Sequence, residues 1–390
     1  MPLPRSSPWG SLGGYYFFYF AFIGAFSPYW PLYLDTLGFD PLRIGVLMAL
    51  IQVMRIFAPN LWGWLADRLG RHAPIIRVCS ILSAASLALV LLGQEFFWIF
   101  GAMALMGFFS SATLPLVEAT TLRLLGGSTA GYGRIRLWGS VGFIVAVVAV
   151  GAALDRWDIR FLVYLVLLLQ IGTAAFSWRL PEGAPHRPES PSPPVRARDI
   201  LMRSEVLALF AACFLMTMAH GPYYTFYSIH LAEHDYSKAT IGGLWALGVI
   251  CEIAVFLALP RLVGRFSLPA VLAFSLACAV LRFVAIGWGA DSLAVLLAAQ
   301  VLHAATFGSY HAAAVAMIHR LFPGPHQAKG QALYSSLSYG AGGFLGGVLS
   351  GSLWQSVGPA ATFGLGSAAA LAGLLALRWR YARLVERIAL

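Results

Sequence analysis

Twelve apolar stretches succeed one another along this chain of 390 residues, starting near Ser11, Gly45, Pro74, Phe96, Gly133, Phe161, Val206, Ala239, Leu268, Ser292, Lys329 and Pro359. Each runs to roughly 20 residues, the length an α-helix needs to cross about 30 Å of hydrocarbon. A bilayer core offers no water to backbone N–H and C=O groups, so each stretch must satisfy them internally as a helix. Only 11% of the residues are charged, against about 25% in soluble domains, which excludes a soluble enzyme. The expected fold is an all-α integral membrane protein with twelve transmembrane helices. The first run, Tyr15 to Leu34, is too long for a signal-peptide core, and no small-residue cleavage site follows it. Cys79, Cys213, Cys251 and Cys278 fall inside the stretches without metal-ligand spacing. They read as small buried hydrophobes, and neither a metal nor a cofactor is expected.

The basic residues set the orientation. With both termini on one face, that face collects 19 Lys and Arg residues, and the other only Arg43, Arg156, Arg160 and Lys238. Cytoplasmic loops are enriched in Lys and Arg, so both termini are expected in the cytoplasm and the chain in the cell inner (plasma) membrane. The net charge of +10 follows from this topology and implies no nucleic-acid partner.

One long polar interruption, from Pro181 to Asp199, holds six prolines, which forbid a packed helix and make an extended linker. It sets the expected organisation: an N-terminal six-helix bundle over 1–180, a cytoplasmic Pro-rich linker over 181–203 and a C-terminal bundle over 204–390. The halves are related. Residues 44–56, IGVLMALIQVMRI, align without gaps with 241–253, IGGLWALGVICEI, and the same offset sets Arg68 over Arg265 and Arg55 over Glu252. A match between the second and eighth spans means that a six-span unit was duplicated as a parallel repeat. In membrane proteins built this way the ligand site lies near the bilayer midplane, between the halves.

Glu118 and Glu252 are the two carboxylates deep inside apolar stretches, and Arg55, Arg136 and Arg282 are buried with them. An intramembrane charge costs roughly 2.5–3.5 kcal/mol on insertion scales, so these five mark a functional site by default. Three arginines against two glutamates leave one positive charge, which a monovalent carboxylate would neutralise through bidentate hydrogen bonds. Tyr19, Tyr29, Trp30, Tyr223, Tyr224, Tyr227 and Trp245 could stack on a ring, although aromatic residues also gather at membrane interfaces. The charges could equally pair with one another and hold helices in register. Burial raises the pKa of a Glu and a nearby Arg lowers it, so a Glu–Arg contact that breaks between two conformations would take up and release a proton. Glu252 is the first candidate for proton coupling, Glu118 the second and His303 the third.

The turn after the second span reads Gly63-Trp64-Leu65-Ala66-Asp67-Arg68-Leu69-Gly70-Arg71. This G-x-x-x-D-R-x-G-R pattern closely resembles the signature loop of the major facilitator superfamily, with His72 where that family usually has a basic residue. Glycine permits close helix approach, and Asp67 at a helix end can pair with a basic residue. The resemblance implies a conformational latch made of Gly63, Asp67, Arg68, Gly70 and Arg71. It also implies twelve helices in two pseudo-symmetric six-helix bundles, the major facilitator fold. The second copy, Leu259 to Arg265, has lost the acid, so the latch is asymmetric.

Leu116-Val117-Glu118-Ala119 and the run from Gly131 to Gly142 resemble the lactose/proton symporters, whose fourth and fifth helices carry a sugar-binding Glu and Arg at this separation. Glu252, Arg282 and His303 also have counterparts there, and the resemblance spans essentially the whole chain. Thr306 stands where those symporters have the proton-carrying acid, and Phe143 where they have the Trp that stacks on the sugar, which argues against lactose itself. His220-Gly221-Pro222-Tyr223-Tyr224, Leu244 to Val249 with Glu252, and Leu302 to His311 resemble the phenylpropionate-permease branch of the superfamily, whose relatives include nucleoside/proton symporters. This implies secondary active, proton-coupled symport (uptake) of a small organic solute, with an aromatic carboxylate such as 3-phenylpropionate as the leading candidate. The implied substrate-binding residues are Glu118, Arg136, Arg55, Arg282, Tyr223, Tyr224 and Trp245.

A nucleoside or sugar/proton symporter stays open, as does a drug/proton antiporter of the same fold, although an antiporter for cations would carry more acidic than basic groups. The expected partners are the small-molecule substrate, protons and the lipid bilayer. A single chain encloses a complete pathway, so the expected functional unit is a monomer. No G-x-x-x-x-G-K-[ST] loop occurs, which argues against an ATP-driven pump. The tail after Leu377 is too short for a signalling domain, which argues against a receptor.

Overall fold

The computed structural model describes residues 8–125, 129–181 and 197–389. Most of the expected Pro-rich linker, 182–196, lies outside the described residues, as do Arg5, Arg187 and Arg196. The spans are α1 Pro8–Thr36, α2 Pro41–Leu69, α3 Ala73–Leu91, α4 Phe96–Leu124, α5 Thr129–Leu154 and α6 Ile159–Ser177. After a short helix at Ala197–Leu201 come α7 Ser204–Glu233, α8 Lys238–Arg265, α9 Leu268–Trp288 and α10 Leu293–Leu321. The last long helix, Gln327–Trp379, is 53 residues long and breaks at Gly358, whose φ is +84°. Gly tolerates that left-handed backbone and Pro359 cannot continue the preceding ladder. The break separates α11, residues 327–357, from α12, residues 359–379.

Among the described residues, α2 to α10 and the Gln327–Trp379 helix are long and apolar enough to cross a membrane. With that helix divided at Gly358, and with α1, the twelve expected spans are present. The 29 residues of α1 owe their apolarity to Phe, Tyr and Trp rather than to aliphatic side chains. Every start lies within about four residues of its expected position, which is close to the ordinary fraying of helix ends. Large apolar side chains point outward, Phe97 with 84% exposure and Leu257 with 75%. In water that surface would aggregate; in a bilayer it faces lipid.

Three helices depart from regular geometry. In α7 the helix stops at Ala219 and restarts at Gly221, with Pro222 at its first turn, so the chain kinks just before Tyr223 and Tyr224. In α10 a π-helical turn occupies Ala304–Ser309, and in α11 another occupies Ser335–Gly342.

The chain divides into two compact units, one of Met1–Asp40, Phe57–Glu189 and Ser237–Gly243, the other of Pro41–Ile56, Ser190–Tyr236 and Leu244–Leu390. They differ from the sequence halves at two places, the starts of α2 and α8. These segments are counterparts in the sequence repeat. The start of α2 joins the second unit because Gly45 is pressed against it: a Cβ there would lie 2.7 Å from the Gly347 carbonyl oxygen. The start of α8 joins the first unit through Asp155, whose carboxylate accepts the N–H groups of Lys238 at 2.7 Å and Ala239 at 2.9 Å. The Tyr29 hydroxyl adds contacts to the carbonyls of Val147 at 2.7 Å and Lys238 at 3.1 Å.

Small residues set the tightest crossings. A Cβ on Gly24 would meet the Phe143 carbonyl oxygen at 2.6 Å, and one on Gly142 would strike the Phe17 backbone. Gly63 is different from expectation: a Cβ there would meet nothing within 4 Å, so it is not at a close helix crossing. The four cysteines are free thiols, Cys79, Cys213 and Cys278 buried and Cys251 half-buried.

Candidate functional site

The five intramembrane charges fall into two clusters, one in each unit. In the first unit, α4 presents Glu118 shortly after Pro115, and α5 presents Tyr132 and Arg136 one turn apart. The Tyr132 hydroxyl donates to Glu118 Oε1 at 3.0 Å. Arg136 lays its guanidinium on the Phe20 ring of α1, 3.9 Å from the centroid, with the Tyr16 ring at 6.0 Å. Gly139 makes room for this stack: a Cβ there would lie 2.7 Å from Phe20 and 2.8 Å from the Arg136 guanidinium. Glu118 and Arg136 act on each other through space, but among the described residues no direct ion pair joins them. Both side chains are half-buried. The cluster therefore holds a fixed carboxylate acceptor beside a guanidinium whose aromatic face is covered and whose N–H edge lacks a carboxylate.

The second unit carries a denser network. Arg282 of α9 is fully enclosed, at 0% exposure. Its Nε donates to the Ala299 carbonyl at 3.0 Å, Nη1 to Thr306 Oγ1 at 3.3 Å and Nη2 to Gln300 Oε1 at 3.5 Å. The guanidinium also lies 4.1 Å from the centroid of Tyr223, whose hydroxyl donates to the same Gln300 oxygen at 3.2 Å. Tyr223 packs against Trp245 with centroids 4.5 Å apart, and Trp245 Nε1 donates to Ser228 Oγ at 3.2 Å. Tyr224, half-buried, lies 6.1 Å from Trp245. Protein groups thus supply every hydrogen bond described for Arg282, and its charge is delocalised over an aromatic face.

Glu252 of α8 brings Oε2 to 4.0 Å from His303 Nε2, and the His303 ring lies 5.6 Å from Tyr223. Two glycines set this approach. A Cβ on Gly308 would lie 3.1 Å from Glu252 Cγ, and one on Gly248 3.0 Å from His303 Cδ2. Arg55 donates from Nη1 to Gln52 Oε1 at 3.1 Å. Ile56, next to Arg55, accepts at its carbonyl from Ser336 Oγ in the π turn of α11 at 3.3 Å.

Sequence reasoning missed Tyr132 and Gln300 as an acceptor. The spacing of Tyr132 and Arg136 by one helical turn was the available signal for the first. Gln300 is neutral, and nothing in a sequence distinguishes it from ordinary helix residues.

The expected latch sits at the end of α2. Gly70, with φ +63°, donates its N–H to the Asp67 carbonyl at 3.3 Å and ends the helix as a left-handed cap. The Arg68 guanidinium lies 4.9 Å over the Trp64 ring, and Asp67, Arg68 and Arg71 are exposed. Among the described residues Asp67 makes no ion pair.

A family model described as "MFS_1 like family" matches residues 9–365. The chain is 30% identical over 358 residues to a "Probable 3-phenylpropionic acid transporter" of Escherichia coli (strain K12), covering 91% of this chain and 93% of that protein. It is 28% identical over 352 residues to a "Maltose permease" of Geobacillus stearothermophilus, covering 87% of each. Among solved structures, a crystal structure of the nucleoside transporter NupG superposes with a TM-score of 0.82 at 18% identity, covering 96% of this chain and 99% of that one. At that identity the likeness speaks for the fold.

Proposed function

We propose, for a chain that belongs to the MFS_1 like family of multi-pass membrane transporters, that it takes up a small aromatic carboxylate together with a proton. The observation that carries this reading is Arg136, a half-buried guanidinium stacked on Phe20 without a carboxylate partner among the described residues. A planar cation with an aromatic floor suits a carboxylate attached to a ring, because the carboxylate takes the N–H fork and the ring extends the stack. The similarity to a probable 3-phenylpropionic acid transporter supports the same substrate class.

Arg136 is the anchor in this reading, with Arg55 as the second cation. Glu118, oriented by Tyr132, selects for a hydrogen-bond donor or excludes a second anionic group. Tyr223, Tyr224 and Trp245 form an aromatic wall braced by Arg282. Glu252 carries the proton with His303, since the acid–imidazole approach of 4.0 Å changes character whenever either group changes charge. Asp67, with Arg68, Arg71, Gly63 and Gly70, works as the latch in a conformation other than the one described. The protein lies in the inner membrane with both termini in the cytoplasm, as the basic residues favour. A single chain is the functional unit in this reading.

Counterflow in proteoliposomes with 3-phenylpropionate, uridine and maltose, with and without a pH gradient, tests the reading. Exchange of 3-phenylpropionate, accumulation driven by an acidic exterior and loss of both in Arg136→Gln are the expected results. Faster exchange of uridine or maltose would overturn the substrate class, and indifference to the pH gradient would overturn symport.

A further inference from the structure

A second cluster of titratable groups lies beyond Glu252 and His303, along α10 towards its turn into α11. His303, Phe307 and His311 stack at intervals of one helical turn, with centroids 5.6 and 6.3 Å apart and interplanar angles of 8° and 15°. At 1.5 Å per residue, His311 lies about 12 Å from His303 along the helix. There its Nδ1 is 3.0 Å from the Tyr339 hydroxyl and 3.2 Å from the Tyr334 hydroxyl, and Tyr334 donates to Tyr339 at 3.5 Å. Tyr334 is buried, while His311 and Tyr339 are half-buried. Both helices that supply the triangle are π-helical beside it, at Ala304–Ser309 and Ser335–Gly342. Such turns are uncommon in plain packing and occur frequently at functional sites.

Phenol and imidazole share a property that few side chains have: each donates and accepts. A closed triangle of three such groups inside a membrane exceeds what helix packing requires, because polar groups there are costly and are kept for pathways. The triangle adjoins the charged site: a Cβ on Gly308, one turn before His311, would lie 3.1 Å from Glu252 Cγ, and Ser336 Oγ, in the same π turn as Tyr339, donates at 3.3 Å to the carbonyl of Ile56, next to Arg55. From α7 and the remainder of α10, Cys213 and Tyr310 act on Tyr334.

We propose that His311, Tyr334 and Tyr339 form the relay through which a proton held at Glu252 and His303 reaches water on the side of the α10–α11 turn. The triangle has two hydrogen-bonded arrangements. With Nδ1 bare, His311 accepts from Tyr339; with Nδ1 protonated, it donates to Tyr334, which donates to Tyr339. When the Tyr339 oxygen accepts a proton from the Glu252 side, it passes its own proton to Nδ1, and the phenol stays neutral. His311 becomes an imidazolium, loses the proton from its other ring nitrogen to water and returns to neutrality. Phe307 fills the stack between the two histidines, so the route runs through Tyr339 rather than along α10.

This proposal rests on the proton-symport reading, and one experiment separates the two. Proteoliposomes loaded with a pH-sensitive dye are given 3-phenylpropionate, uridine or maltose, and proton entry is recorded beside counterflow of the same compound. In His311→Asn and Tyr339→Phe, proton entry should slow about tenfold or more and its pH profile should flatten, with exchange within about twofold of the parent chain. Wild-type proton entry with an unchanged pH profile in both variants overturns the relay and leaves symport standing. If the parent chain moves no protons with any of the three compounds, both readings fall. Should His311→Asn fail to fold, Tyr339→Phe, which removes a single oxygen, decides the question.

Discussion

Tyr132 donates its hydroxyl to Glu118 at 3.0 Å from a position one turn before Arg136 on the same helix. One residue therefore fixes the acid of the first cluster while its neighbour supplies the cation. Hydrogen bonds to charged groups contribute about 1.5–3 kcal/mol, so Tyr132→Phe should weaken substrate binding by roughly tenfold to a hundredfold. Half-saturation in counterflow is the measurement. A value unchanged from the parent chain would remove Tyr132 from the site.

Glu252→Gln keeps the shape of the side chain that Gly308 accommodates, with 3.1 Å between its Cγ and a Cβ at that glycine, and removes the titrating group. Uphill accumulation driven by a pH gradient should disappear while substrate exchange persists. Full pH-driven accumulation in that variant would overturn the role given to Glu252.

Gly142 lies against the backbone of Phe17 so closely that any side chain must displace it. Gly142→Ala should destabilise the folded protein by about 1–3 kcal/mol, the usual cost of overpacking. The unfolding midpoint in detergent reports it directly. A midpoint equal to that of the parent chain would mean that α1 and α5 separate here without cost.

Asp67 is exposed and makes no ion pair among the described residues, so a latch at this position must engage in another conformation. Asp67→Asn should shift the balance between the two access states and leave substrate affinity within about twofold, since its exposed place at the end of α2 belongs to neither charged cluster. Cysteine-labelling rates on either side of the membrane measure that balance. Unchanged rates and unchanged transport would count against a latch.

Much of the architecture was legible because a bilayer allows so few solutions. Length and apolarity alone located α2 to α10, and the proline run marked the break before α7. Their limit shows at α1, where Tyr15, Tyr16, Tyr29 and Tyr33 are buried at 1% exposure or less and aromatic rings replace aliphatic chains. Charge made Glu118, Glu252 and the three arginines conspicuous, because each violates its surroundings. Their partners were not conspicuous. Tyr132 lies across a helix-to-helix turn from Glu118, and Gln300 is a neutral amide whose role as the shared acceptor of Arg282 and Tyr223 exists only once three helices meet. The motif marks Gly63 as a close crossing, whereas crossings depend on which face a helix turns to its neighbour, and Gly24 and Gly142 hold those places.

The π turn at Ala304–Ser309 carries a consequence for how α10 tolerates changes of length. Each residue advances an α-helix by about 100°, and a π turn stores one surplus residue without passing that rotation on. Losing a single residue from this turn would let the helix close as a regular α-helix and leave everything after it in place. His311 would keep the face it shares with His303, and side chains turned to lipid would stay there. The same loss from a regular turn of α10 would swing everything after it through that angle and drive lipid-facing side chains inward. A one-residue gap between this chain and a relative would therefore be absorbed at Ala304–Ser309 and rewire the membrane interior elsewhere in α10.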